Sequence, residues 1–264
     1  CLTGLTAPNS GTILSSGSYG QLRVYDAVPG HTWEAIPSGT SVHLQSVWAA
    51  STADVFAVGE TGTIVRVSLG PRFGESRVAG PELMSSGVSG WLWGVFGTSA
   101  SNVVAVGESG TILRYDGTNW SRMTSPTAEN IYGVWGTGPQ SLYATAGHGV
   151  LRWNGSTWSV MGTSQGITGE GIWGGSDRDV YVVGAGGGIW RYDGSTWFRM
   201  TSGTTASLHA VFGLPNHTGF AVGDGGTLLR GLRAATVTVG PSGTTLTAIS
   251  CGVTAPISRP MGAW

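Results

Sequence analysis

The side chains able to do chemistry in this chain sit mostly in short glycine-bounded turns. Glu60, Glu108 and Asp224 follow apolar runs in the segments VGETG, VGESG and VGDGG, and His148 holds a similar place in TAGHG. His43 and His209 lie beside Leu44 and Leu208, with Glu129, Asn130 and Glu170 in corresponding connections. Carboxylates and imidazoles gathered at one place could bind a sugar, a peptide or a cation. The plainer reading is that acidic residues solvate turns, which are commonly polar. A Walker loop, an HExxH helix motif and paired-cysteine zinc spacing are all absent, and no cofactor is implied. The Gly-rich turns are not followed by a helix, so they read as hairpin turns and not as phosphate cradles.

The basic residues exclude further classes. All 13 are arginine, so lysine chemistry, a Schiff base or a P-loop lysine, is not available. A lysine-free, arginine-using composition also points to a GC-rich bacterial genome. The formal net charge is −1, which gives no footprint for nucleic acid or an anionic membrane. Arg66, Arg114, Arg152, Arg191 and Arg230 recur at one place in the pattern and read as structural ion-pair or stacking residues, for example Arg114 with Asp116 on one strand face. Two cysteines remain. Cys1 reads either as a lipidated N-terminus, and so a membrane anchor, or as the partner of Cys251 in a disulfide. The repeat register opposes the pairing, since six positions of offset is roughly 20 Å along neighbouring strands. Both readings stand. A chain that opens on Cys1 looks processed or trimmed, and no run of about 18 apolar residues is present to span a membrane.

The elements that must position these residues come from a repeat. Asn102 to Trp120, NVVAVGESGTILRYDGTNW, reads as an apolar strand buried on both faces, a tight turn, a β-prone strand, an Asp-Gly turn and the start of another strand. Asp116-Gly117 is a strong two-residue hairpin signal of type I′. An apolar residue, two others and then an aliphatic residue, usually with an aromatic after it, mark the start of each unit, in LTGL, LQSV, LWGV, LHAV and LTAI, with the shorter matches YGVW at 132–135 and GIW at 171–173. Val47, Val95, Val134, Ile172, Val211 and Ile249 follow one another at steps of about 40 residues. A steady step of that size built from short strands predicts an all-β fold, a β-propeller with one four-stranded blade per repeat. The repeats run over about 1–40, 41–87, 88–127, 128–165, 166–204 and 205–242, with a partial unit over 243–264. Seven blades with an incomplete seventh are expected; six is the alternative. Trp120, Trp158 and Trp197, with Trp33, could be sugar platforms, but their fixed place in the repeat favours packing between blades.

The pattern VWG…DV-aromatic-AVG-x-x-GTI-x-RYDG-x-x-W resembles the repeats of secreted bacterial propeller proteins. These are related to the Asp-box repeats of bacterial neuraminidases and to the photosystem II stability and assembly factors. The resemblance covers nearly the whole chain and implies an extracytoplasmic protein: periplasmic, secreted, or a cell-surface lipoprotein. It departs from the Asp-box in having Asp-Gly where that motif has Asp-x-Gly.

A propeller binds most often at the mouth of its channel, where the second-to-third turns and the fourth-to-first connections lie. Glu60, Glu108, His148, Asp224, His43 and His209 are therefore the candidate ligand-binding residues. The expected function is non-enzymatic: a binding or scaffold module engaging a glycan or a protein partner. The alternatives are a sialidase-like glycoside hydrolase, which needs two carboxylates about 5–10 Å apart, and an accessory or assembly subunit of a larger complex. Residue 1 already begins a first strand, so the N-terminus has no spare strands to complete a seventh blade. The sequence thus predicts a chain cut from a longer protein, or a gap beside Cys1 and Trp264 covered by a partner or a second copy.

Overall fold

The computed structural model describes residues 2–9, 11–26, 32–69, 79–161, 166–213, 219–231 and 238–239. They form six antiparallel four-stranded sheets, each a simple up-and-down meander. The first holds β1 (Leu2–Asn9), β2 (Thr12–Gly17), β3 (Leu22–Asp26) and β4 (Glu34–Ile36); the second holds β5 (Leu44–Ser51), β6 (Asp54–Gly59), β7 (Ile64–Ser68) and β8 (Ala79–Met84). The third holds β9 (Leu92–Ser99), β10 (Asn102–Gly107), β11 (Ile112–Tyr115) and β12 (Trp120–Arg122). The fourth holds β13 (Ile131–Gly138), β14 (Ser141–Ala146), β15 (Gly149–Trp153) and β16 (Trp158–Met161). The fifth holds β17 (Gly169–Ser176), β18 (Asp179–Gly184), β19 (Gly188–Tyr192) and β20 (Trp197–Met200). The sixth holds β21 (Leu208–Gly213), β22 (Gly219–Gly223), β23 (Thr227–Arg230) and β24 (Thr238–Val239). The chain is a β-propeller. Six blades, not the expected seven, are present among the described residues; the partial unit over 243–264, with Cys251 and Trp264, and also Cys1, lies outside them.

The first strand of each blade is the hub strand. β1 packs on β5, β5 on β9, β9 on β13, β13 on β17 and β17 on β21. Val47, Val95, Val134, Ile172 and Val211 all lie on this series, as their spacing requires. The third residue of the opening motif is small because hub backbones nearly touch. A Cβ on Gly171 would lie 2.7 Å from the His209 carbonyl oxygen and 3.0 Å from the Ala210 Cα. The aromatic after the motif's valine or isoleucine seats on a glycine of the next blade: a Cβ on Gly213 would meet the Trp173 ring at 2.2 Å, and Trp48 and Trp135 lie in the same way over Gly97 and Gly174. The second strands are buried because both faces are covered, and in β10 the run is apolar throughout: Val103, Val104, Ala105 and Val106 are all buried.

The turns differ from the sequence reading. The type I′ hairpin is the second-to-third turn, where Thr61 and Gly62 have φ of 54° and 69° and the Thr63 N–H donates to the Glu60 carbonyl at 2.9 Å. The Asp-Gly turns are instead four-residue loops, since Tyr115 pairs with Trp120 and leaves 116–119 outside the ladder. The Asp116 carboxylate captures two local donors, the Thr118 and Asn119 N–H groups, both at 2.8 Å. That side-chain turn replaces the backbone turn a two-residue hairpin would need. Asn154 and Asp193 do the same in blades four and five.

Candidate functional site

The repeated arginines belong to the scaffold, but with other partners than expected. Arg114 Nε donates to Asn102 Oδ1 at 3.0 Å, and not to Asp116. Arg66 and Arg191 donate in the same way to Asp54 and Asp179, at 2.6 and 2.7 Å. The cause is geometric: the partner sits at the start of the second strand, diagonal to the arginine. The guanidinium also lies over the aromatic ring directly opposite, Arg66 over Phe56 at 5.6 Å and Arg152 over Tyr143 at 5.6 Å. The hydrogen bond to the aspartate is the main reason why the Arg66 and Arg191 pKa values are raised. Trp158 and Trp197 are buried, each packed against the preceding blade, and Trp120 stands edge-on to Phe56 of blade two. None is placed as a ligand platform.

Two of the candidate carboxylates are structural as well. Glu60 Oε2 accepts the His43 N–H at 3.0 Å, and Glu108 Oε2 accepts the Trp91 N–H at 3.1 Å. Each turn thus clamps the start of its own hub strand. His43 lies 5.7 Å from the Tyr19 ring and 6.2 Å from the Trp91 ring, forming an aromatic strip over blades one to three.

The feature that organises the mouth is a β-bulge at one place in every hub strand. Leu44 pairs with Gly59 and Ser46 with Val58, so Gln45 has no partner in the ladder. The same step isolates Thr3, Trp93, Tyr132, Glu170 and His209. Bulges re-aim a side chain out of the regular alternation. Their neighbours Leu44, Leu92, Ile131 and Leu208 are fully buried between blades, whereas all six bulged residues are partly exposed. They meet each other from blade to blade. The Trp93 and Tyr132 rings stack with centroids 5.0 Å apart and planes at 26°. Glu170 Oε2 lies 2.5 Å from His209 Nδ1, and Thr3 donates to the Leu44 carbonyl. Thr145 bridges the backbones beneath, accepting from the Gly133 N–H at 2.9 Å and donating to the Glu170 carbonyl at 3.2 Å.

Of the candidate residues, the structure brings His209 and Asp224 together: His209 Nε2 lies 2.8 Å from Asp224 Oδ1. With a carboxylate on each ring nitrogen, both nitrogens must donate, which defines an imidazolium. Desolvation pulls the His209 pKa down, but Asp224 and then Glu170 outweigh it, and the net shift is upward. His148 pairs with Glu129 at the rim, 2.8 Å from Nδ1 to Oε1, and that contact leads the lowering of the Glu129 pKa. The mouth is therefore two-sided, aromatic over blades one to four and acid–imidazole over blades four to six. Trp93, Tyr132 and Gln45 escaped the sequence reading. The signal was present: at this one position the repeats read Thr, Gln, Trp, Tyr, Glu and His, while the residues around it hardly change. Groups of three or more potential metal ligands are absent among the described residues.

No family model and no curated protein matches the chain. Among solved structures it is similar to the RRP9 WD40 repeats, with a TM-score of 0.72, 11% identity, and coverage of 90% of this chain and 79% of that one. It is also similar to the WD40 β-propeller domain of Doa1, with a TM-score of 0.50, 13% identity, and coverage of 87% and 91%. These likenesses define the class, a propeller of four-stranded blades.

Proposed function

We propose that this chain is a non-enzymatic binding module that engages a protein or glycan partner across the mouth of its channel. The bulge ring carries the reading. A repeat that holds its packing residues nearly constant while presenting six different side chains at one aimed position is built for recognition. The sialidase-like alternative fares worse. Such a site must hold an anionic sugar, and no arginine lies in the bulge ring or in the second-to-third turns among the described residues. The resemblance of the repeats to secreted bacterial propellers supports an extracytoplasmic location; fractionation of the source cells would test it. The experiment for binding is a pair of glycan and peptide arrays probed with the wild-type chain and with Trp93→Ala. Expected is a ligand set bound by the wild type and lost in the variant, with an unshifted melting temperature. Product released from an arrayed glycan would instead favour a hydrolase, and identical wild-type and variant binding would remove the mouth as the site.

A further inference from the structure

The charge at the mouth is one-sided. Glu60, Glu108, Glu129, Glu170 and Asp224 all lie at the second-to-third turns, the bulges or the connections into hub strands, where, among the described residues, only His43, His148 and His209 balance them. Among the described residues the arginines lie elsewhere, with Arg66, Arg114, Arg152 and Arg191 on third strands and Arg122 and Arg199 on fourth strands. In a chain of net charge −1 this separation leaves the mouth acidic. Beside the acids stands the Trp93–Tyr132 stack, and Tyr132 and Glu170 hold the same register position on neighbouring hub strands. A Cβ on Gly133 would lie 3.0 Å from the Glu170 carbonyl, so these two strands are in contact. Planar rings next to a carboxylate suit a planar cation, which can stack on one and form paired hydrogen bonds with the other.

We infer that the group recognised at the mouth is the guanidinium of an arginine side chain presented by a partner peptide, stacked on the Trp93–Tyr132 pair and held by Glu170. The inference rests on the mouth being the binding site. A guanidinium fits better than an ammonium because an ammonium cannot pair in two parallel bonds or stack.

His209 then acts as a built-in competitor. When protonated it occupies Glu170 on one ring nitrogen and Asp224 on the other. The remaining ionisable pair on the adjoining blade, Glu129 with His148, is closed on itself. Loss of the His209 proton frees acceptor capacity on Glu170, so affinity for a cation rises with pH, whereas affinity for an anion would fall.

The test is an array of arginine peptides, each printed beside its citrulline twin and its lysine twin. Citrulline keeps the shape and removes the charge. Polarisation titrations of the strongest pair then follow from about pH 5.5 to about pH 9. Expected are binding at least about tenfold tighter for arginine than for either twin, loss in both Trp93→Ala and Tyr132→Ala with melting temperatures retained, and affinity that rises with pH in the wild type but not in His209→Gln. Equal binding of the citrulline or lysine twins overturns the guanidinium assignment. Binding of neutral glycans, lost in Trp93→Ala, with no arginine peptide bound, overturns the inference and leaves the binding module standing. No ligand on either array overturns both.

Discussion

At the scale of single residues, backbone conformation and burial make separable demands. Thr61 is a β-branched residue at φ 54°, a conformation that glycine adopts freely and that costs other residues roughly 1–2 kcal/mol. Gly186 and Gly225 hold the same place in blades five and six. Thr61→Gly is expected to stabilise the fold by about 0.5–1 kcal/mol, once the greater flexibility of glycine in the unfolded chain is deducted. Denaturant melts would show it as a higher midpoint, and a lower one would mean that the Thr61 hydroxyl, 2.7 Å from the Glu60 carbonyl, matters more than the strain. Gly62 has no such freedom: a Cβ there would lie 2.0 Å from the Val88 carbonyl. Burial decides the tryptophans. Trp158 and Trp197 are 6% and 7% exposed, so each replacement by alanine is expected to cost roughly 3–5 kcal/mol. Trp33, at 37% exposed, should cost clearly less. Normal melting of Trp158→Ala with lost ligand binding would return these rings to the role of platforms.

At the scale of elements, the hub strands were legible in the sequence because hub packing imposes a strict motif. Leu92, Gly94 and Val95 each answer to a neighbouring blade, and the spacing of such positions is readable. The bulge was not. A strand period predicts alternation, and Trp93 looked like one of two filler residues between Leu92 and Val95. Only the register with β10 shows that it has left the ladder. The Asp-Gly turns misled for the opposite reason: a local signal for a two-residue hairpin was overridden by the Asp116 side chain taking the backbone donors itself. The bulges also tie elements together. His209 on β21 bonds Glu170 on β17, joining the fifth and sixth blades, and its pKa is raised in the fold. A raised histidine pKa contributes stability that is fully present below the ordinary imidazole value of 6.5 and is lost as pH rises through the higher folded value. The wild-type melting temperature should therefore fall relative to His209→Gln, which lacks the proton, as pH rises above the ordinary imidazole value. Parallel pH profiles of the two proteins would dismiss the clamp.

At the scale of the whole molecule, the six blades are not equivalent, and the difference falls at the two ends of the series. Trp48, Phe96, Trp135 and Trp173 follow the hub valine or isoleucine of blades two to five and are partly covered by the blade that comes next. Phe212 holds that position in the sixth blade and is 56% exposed, while Leu5 on the hub strand of the first blade is 50% exposed. Two large apolar side chains more than a third exposed on the first and last hub strands mark faces that no described blade covers. The expectation that the gap beside Cys1 and Trp264 is filled from elsewhere concerns residues outside those described, but Phe212 allows it to be tested. If its outer face is bare, Phe212→Ala gives up inner-face contact such as that with Trp173, 6.1 Å away between ring centroids, and should cost under about 1 kcal/mol. Trp173→Ala, which empties the seat on Gly213, should cost roughly 3–5 kcal/mol. A Phe212→Ala cost as large as that of Trp173→Ala would show the face to be covered in solution. Repeating both melts over a hundredfold range of protein concentration would then separate cover by a second copy, whose contribution changes with concentration, from cover by the same chain, whose contribution does not.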